Sequence, residues 1–87
     1  MIFKARPGVI LTSVCDRYYL VTAKSRTELN ETAVFCWKQL EKGCSTEQLQ
    51  KAVLEEYETG EAEETDQEIS ELISRLYKNR LIIKAEE

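Results

Sequence analysis

The sequence predicts an α+β fold in which a three-stranded antiparallel sheet is followed by three helices. Residues 9–29 are rich in β-branched and aromatic side chains and contain two short connections, a pattern typical of a strand meander. Residues 30–79 contain N-cap residues followed by apolar residues at helical spacing. We expect the 87 residues to form a single domain over residues 1–87, with an ordered core of about residues 6–84.

The three predicted strands differ in their expected place in the sheet. Residues 9–14 form the first strand, after Pro7-Gly8, where we expect ordered structure to begin. Residues 17–23 form the second strand, and Cys15-Asp16 is predicted to form a tight turn between the two. Residues 26–29 are short and polar, which predicts a third strand at the edge of the sheet.

The first helix is predicted over residues 31–42. Asn30 is a good N-cap residue, and Gly43 is the glycine expected just after the last helical turn. The apolar residues cover more than half of the helix circumference, so we expect neighbouring elements to enclose it. Trp37 has the largest apolar side chain of this helix and is expected to anchor the core.

Two capping boxes predict the remaining helices. Ser45 and Gln48 open a helix that runs to about residue 57. Thr65 and Glu68 are expected to open the third helix, over residues 66–79, whose apolar residues form one stripe. Residues 81–84 then form a short extended segment that closes on the domain.

An acidic run separates the last two helices. Residues 55–68 contain eight aspartates and glutamates and no lysine or arginine. We interpret this run as a solvated loop around Gly60, and an ionic docking site for a basic partner is the alternative.

Composition excludes several classes of function. The net charge of −4 disfavours a general phosphate-binding surface. The sequence has no histidine, which excludes Ser–His and Cys–His nucleophiles, and no catalytic residues are predicted. No apolar run approaches the length of a membrane span and no signal sequence is evident, so we expect a cytoplasmic protein without a membrane partner.

The three cysteines do not predict a metal site. They are scattered and contain no Cys-x-x-Cys pair, so we expect reduced thiols and no bound metal or other cofactor. Cys36 is expected in the core, whereas Cys44 lies in a helix connection and is expected to be exposed.

The order of elements also fits a winged helix-turn-helix domain, and DNA binding is therefore an alternative function. In such domains the N-terminal turn of the reading helix presents cationic or amide groups to the bases. In this chain that turn is Asp66-Gln67-Glu68, followed by Glu71, and these carboxylates would face phosphate. We therefore expect no nucleic-acid partner.

Several stretches resemble the PqqD family, the precursor-peptide recognition elements of ribosomally made and modified peptides. The likeness covers about residues 6–83, and the stretch from Leu29 to Ala33 with Trp37 downstream is its most specific part. The other matching stretches are Arg6-Pro7-Gly8-Val9, Tyr19-Leu20-Val21, Ser45-Thr46-Glu47-Gln48-Leu49 and Ile69-Ser70-Glu71-Leu72-Ile73. The Pro-Gly-Val start is most similar to the stand-alone leader-binding proteins of lasso-peptide clusters.

The resemblance implies a small chaperone without catalysis, which captures the leader of a precursor peptide and delivers it to a modifying enzyme such as a maturase, protease or cyclase. In the family the leader adds a strand to the third strand and lies in the groove between that strand and the third helix. Carried over, the strand residues are Arg26, Thr27, Glu28 and Leu29. The helix candidates are Ile69, Leu72, Ile73, Arg75, Leu76 and Lys78.

Two features depart from the family pattern. Three cysteines are unusual for such a domain, and the third strand lacks the aromatic residue that often precedes Leu-Asn in relatives. The physical character of an edge strand beside an amphipathic helix nevertheless suits β-augmentation. A homodimer formed through the same edge and an edge that is merely solvated are the alternatives.

Overall fold

The computed structural model describes residues 2–57 and 62–85. In chain order the elements are β1 (Ile2–Ala5), β2 (Ile10–Val14), β3 (Arg17–Val21), β4 (Arg26–Leu29), α1 (Glu31–Lys42), β5 (Cys44–Ser45), α2 (Thr46–Tyr57), α3 (Ala62–Lys78) and β6 (Ile82–Ala85). Antiparallel strands and three helices form an α+β structure, which confirms the predicted fold class. None of the helices in the described residues is long and apolar enough to cross a membrane.

The three predicted strands form one sheet in the order β2-β3-β4. Cys15 and Asp16 have φ angles of 51° and 66°, and positive values at both central positions are typical of the tight turn that matches strand twist. β3 pairs with β2 on one side and with β4 on the other, and both pairings are antiparallel. The prediction of an edge strand at residues 26–29 is therefore confirmed.

Helix α1 buries its apolar residues against the other elements, as its apolar circumference predicts. The side chain of Asn30 accepts a hydrogen bond from the Ala33 N–H at 2.8 Å, which caps the helix. Trp37 and Leu40 expose 1% and 0% of their surface and belong to one core cluster with Leu20 of the sheet. The burial of Trp37 confirms its predicted role.

The capping box at Ser45 is present and opens α2. The Ser45 N–H donates to Gln48 Oε1 at 2.8 Å, and the Gln48 N–H donates to Ser45 Oγ at 3.1 Å. These reciprocal bonds satisfy two amides that the start of the helix leaves without intrahelical partners.

A second sheet, in the order β5-β1-β6, was not predicted. The sequence predicts an ordered start at Pro7-Gly8, but the preceding residues Ile2–Ala5 form β1. β1 pairs antiparallel with β6 at the other end of the chain, from Ile2↔Ala85 to Ala5↔Ile82. Such a short strand has too few residues to show alternation, and its partner is distant in sequence, so no local pattern could reveal it.

The expected exposure of Cys44 is wrong. Its exposed fraction is 9%, because β1 pairs with it through Phe3↔Cys44 and covers the helix connection. Cys36 is fully buried, as predicted, and Cys15 is the exposed cysteine in the described residues.

Helix α3 begins earlier than predicted, at Ala62, so the capping box expected at Thr65 is wrong. Thr65 lies inside the helix and is buried. Ala62 and the two glutamates after it have high helix propensity, which favours this extension. The acidic run is therefore not one loop, since residues 55–57 belong to α2 and residues 62–68 to α3. The part around Gly60 lies outside the described residues.

Candidate functional site

Strand β4 pairs with β3 alone in the described part of the chain, so its other side is an open edge. The hairpin before it closes with a hydrogen bond from the Thr22 N–H to the Ser25 carbonyl at 2.9 Å. Hydrogen-bonded pairs alternate with non-bonded pairs along an antiparallel ladder. Counting from Ser25, the residues of β4 that bond to β3 are Thr27 and Leu29.

The hairpin between β2 and β3 predicts the same alternation of inward-facing and outward-facing peptide groups in β4. Val14 and Arg17 flank the two-residue turn and are its closing hydrogen-bonded pair, so β3 bonds to β2 through Arg17 and every second residue after it. The intervening residues of β3 bond to β4. Arg26 and Glu28 therefore direct their N–H and C=O groups away from β3 to the open edge.

The side chains of β4 alternate between two faces of the sheet. Leu29 is 5% exposed and lies in the core, and Thr27 is half-buried on the same side. Arg26 lies on the outer face, where its guanidinium carbon is 5.0 Å from the centre of the Tyr19 ring. Glu28, on that face too, forms an exposed ion pair of 3.8 Å with a neighbouring arginine. Such exposed contacts contribute little stability and leave the edge free to accept a guest strand.

A cleft of about 440 Å³ lies where β4 ends and α1 begins, and α3 forms its other wall. The lining residues are Asn30, Thr32, Ala33, Glu68, Ile69, Glu71, Leu72 and Arg75. Three of the helix residues predicted for the site, Ile69, Leu72 and Arg75, therefore lie at this cleft.

The apolar residues predicted on α3 are nearly all core residues. Ile69 and Leu76 are 1% exposed, Ile73 is 5% and Leu72 is 8%. Ile69 and Leu72 contribute a buried floor to the cleft, whereas Ile73 and Leu76 are not among its lining residues. Lys78 lies away from it, in a separate cleft of about 580 Å³ that also contains Tyr77 and Ile83.

Five lining residues were not predicted as site residues: Asn30, Thr32, Ala33, Glu68 and Glu71. A signal for part of this set was present in the sequence. Glu68, Leu72 and Arg75 recur at the spacing that places residues on one face of a helix. The sequence-based candidates on this helix are apolar or cationic, because its carboxylates are interpreted as part of the acidic run or as groups that repel phosphate.

The chemistry of this site is that of polypeptide backbone and fixed charges. Burial raises the pKa of two cysteines, that of Cys36 to about 12 and that of Cys44 in the same direction, but both lie in the core. The described residues contain no group of three or more metal-ligating side chains. The edge and its cleft can hold an extended chain through backbone hydrogen bonds and a few side-chain contacts.

Comparison with protein families gives a match over most of the chain. The family described as coenzyme PQQ synthesis protein D (PqqD) matches residues 17–82. The chain belongs to the PqqD family. This membership confirms the resemblance drawn from the residues around Leu29 and Trp37. No curated protein sequence matches the chain significantly.

Three solved structures share the PqqD-like fold of this chain. TbiB1 in complex with the TbiA(beta) leader peptide has 17% identity and a TM-score of 0.77, covering 97% of this chain and 99% of that one. Lasso peptide synthetase B1 complexed with the leader peptide has 21% identity and a TM-score of 0.76, covering 94% and 98%. The PqqD truncation of Methylobacterium extorquens PqqCD, a stand-alone RiPP recognition element, has 15% identity and a TM-score of 0.77, covering 95% and 89%.

Proposed function

We propose that this protein captures the leader of a ribosomally made precursor peptide and presents it to a modifying enzyme, such as a maturase, protease or cyclase. The observation that carries the proposal is the open edge of β4, where Arg26 and Glu28 present free peptide groups beside the cleft between α1 and α3. Membership of the PqqD family and the similar folds solved with leader peptides support it.

In this proposal the leader adds a fourth strand to the sheet. Each residue of β4 that faces the open edge offers one donor and one acceptor, and a backbone hydrogen bond contributes about 0.5–1.5 kcal/mol net. Two such residues cannot hold a peptide tightly by themselves. Apolar and charged side chains of the guest would therefore make further contacts at Leu72 and Arg75, which lie at the cleft.

We further propose that the chain contributes binding and no catalysis, and that binding needs no metal, nucleotide or other cofactor. The sequence has no histidine, and the cleft is lined by carboxylates, one guanidinium, apolar side chains and short polar groups. These groups suit recognition of a peptide and do not include a nucleophile paired with a histidine base.

Isothermal titration of the purified chain with the leader of a precursor encoded beside its gene tests this function. In the presence of a chelator and without nucleotide, we expect saturable binding at one site. Heat that appears only after zinc or a nucleotide is added would contradict the proposal.

Two N-methylated versions of the leader provide a matched control, because N-methylation removes a backbone donor and retains the side chain. Methyl groups on alternate residues block the donors that face β4 in one version and those that face solvent in the other. We expect strong weakening for one version only. Equal affinity of both versions would exclude strand addition.

A further inference from the structure

A second cleft lies at the other end of β4 and is basic. Its volume is about 390 Å³, and it is formed by the segment before β2, the hairpin between β3 and β4, and the residues that follow α3. Arg6, Lys24 and Arg80 line it, one from each segment, and none of the lining residues is acidic. Three cations therefore converge on one cleft in a chain whose net charge is −4.

These cations have no acidic partner among the side chains that the structure describes. The ion pair among the described residues joins Arg17 and Glu28, which lie on the outer face of the sheet and not at this cleft. The Arg6 guanidinium donates a hydrogen bond to the Arg80 backbone carbonyl at 3.3 Å, which positions the group and leaves its charge uncompensated. Converging uncompensated cations attract an anionic ligand, because its binding removes their mutual repulsion.

The two clefts lie at opposite ends of β4, and α3 or the residues that follow it line each of them. The hairpin that leads into β4 borders the basic cleft, and Asn30, which follows β4, borders the other. Residues between Glu68 and Arg75 of α3 line the first cleft, and Arg80, just beyond the end of the helix, lines the basic cleft. From Ser25 to Asn30 an extended chain spans about 17 Å, so a peptide of about eight residues can reach both clefts.

We propose that the basic cleft binds acidic side chains of the same peptide that pairs with β4, immediately beyond the paired segment. The inference rests on the proposed function for the identity of that peptide. At the other end of β4, Glu68 and Glu71 outnumber Arg75 among the lining residues, so the first cleft has a net negative charge and disfavours carboxylates. The charge order along the groove therefore sets the direction in which a peptide with acidic residues at one end binds.

Titration of the isotope-labelled protein with hexaglutamate, followed by NMR at low ionic strength, tests the cleft without any leader. We expect the amide shifts to concentrate on the hairpin around Lys24 and on the segments that contain Arg6 and Arg80. The Lys24→Glu variant should bind hexaglutamate about threefold to tenfold more weakly, the range that a few exposed charge pairs support. Its backbone N–H, which bonds to Thr22 Oγ1, is retained.

Lys38→Glu is the matched control, because Lys38 is exposed on α1 and lines none of the three clefts described above. This substitution changes the net charge by the same amount as Lys24→Glu. It should bind hexaglutamate nearly as the parent does. Equal loss in both variants, or shifts spread over all exposed lysines, would overturn the proposal. Tighter binding of an oligothymidylate of the same charge to this cleft would also overturn it, because the cleft would then be a phosphate site.

A second arm links the cleft to the captured peptide. A leader in which the carboxylates beyond the paired segment are replaced by amides should bind the parent protein about threefold to tenfold more weakly and the Lys24→Glu variant without further loss. An equal loss in both proteins would show that those carboxylates bind elsewhere. If hexaglutamate binds the cleft and no leader binds, the proposed function fails and the anion site stands; the reverse result rejects the cleft and keeps the function.

Discussion

Thr27 and Glu28 are neighbours in β4, but their backbone N–H groups point to opposite sides of the strand. The peptide group of Thr27 belongs to the ladder with β3, whereas that of Glu28 faces the open edge. The sequence predicts that adjacent residues of this strand differ in this way, but not which residue faces inward. Which residue faces inward depends on how the hairpin before β4 closes. The hydrogen bond from the Thr22 N–H to the Ser25 carbonyl makes Thr27 the inward-facing residue.

Proline substitutions distinguish the contribution of each N–H group to stability from its contribution to leader binding, because proline removes the N–H donor. Thr27→Pro removes a ladder bond and should lower the free energy of unfolding by about 1–3 kcal/mol. Glu28→Pro should unfold like the parent but bind the leader about threefold to tenfold more weakly, because it removes a donor to the guest strand. Thermal melts and leader titrations of both variants measure the two effects.

Two controls isolate the edge amide. Glu28→Gln keeps the N–H and removes the ion pair with Arg17, so it should bind the leader as the parent does. Ser13→Pro removes the corresponding outward donor on the opposite edge, in β2, and should also bind normally. If Glu28→Pro melts and binds like the parent, β4 is not the docking edge.

At the scale of elements, the N-terminal strand β1 determines the environment of residues far from it in sequence. Its Phe3 pairs with Cys44, and the Phe3 ring meets the Tyr77 ring edge-on with centroids 5.9 Å apart. Burial raises the pKa of Cys44 above its ordinary value, so little thiolate is present near neutral pH. The strand therefore protects this thiol as well as the core.

Phe3→Ala tests this coupling. We expect the half-buried ring to contribute about 2 kcal/mol to the free energy of unfolding, less than a fully buried phenylalanine, as measured in urea. With a thiol reagent at pH 8 the parent should show one fast thiol, Cys15, and the variant a second, Cys44, because local opening then exposes it.

Ile10→Ala is the comparison variant, since Ile10 is 63% exposed on β2. It should change neither the stability nor the number of fast thiols appreciably. A parent protein in which Cys44 reacts as fast as Cys15 would show that β1 does not cover it. Cys36 should stay unreactive throughout, because burial raises its pKa to about 12 and its thiolate is scarce at pH 8.

The elements that the sequence predicts correctly have local signals. The caps at Asn30 and Ser45 each place a side-chain acceptor near backbone donors a few residues away, and the bonds are present. The errors concern non-local contacts or competing signals. β1 depends on pairing with β6, and the apparent cap at Thr65 lost to the helix propensity of the residues from Ala62 onward.

The candidate site was predictable in the same uneven way. The brevity and polarity of β4 predict an edge strand, whereas Arg75 is a candidate because the family resemblance implies a groove beside the third helix. Ile73 and Leu76 are candidates for the same reason, yet the apolar stripe to which they belong packs into the core. Sequence periodicity identifies the buried face of a helix, whereas the candidate cleft lies at the border of that face, where Glu71 and Arg75 line it.

For the whole molecule, the charge distribution opposes DNA binding although the fold resembles a winged helix-turn-helix. Asp66 and Glu68 are exposed in the first half of α3, Glu71 is exposed just after its midpoint, and the net charge is −4. The cationic residues Arg75 and Lys78 lie in its last turn, away from the position that reads bases in such domains.

We therefore expect no saturable binding of duplex DNA to the purified protein, even at low salt. Fluorescence anisotropy with labelled duplexes measures this, and a basic winged-helix protein serves as the positive control. Tight binding that weakens steeply with salt would show phosphate contacts and would reverse the functional conclusion.

The pairing of β1 with β6 also determines the position at which a fused protein would be attached. Ile2 lies opposite Ala85, so a linker attached at either end of the described chain starts from nearly the same point, on the sheet that does not contain β4. A modifying enzyme joined in front of this chain or behind it would then reach the captured peptide over a similar distance. The length and stiffness of the linker, rather than the order of the fusion, would set the effective concentration of enzyme at the peptide.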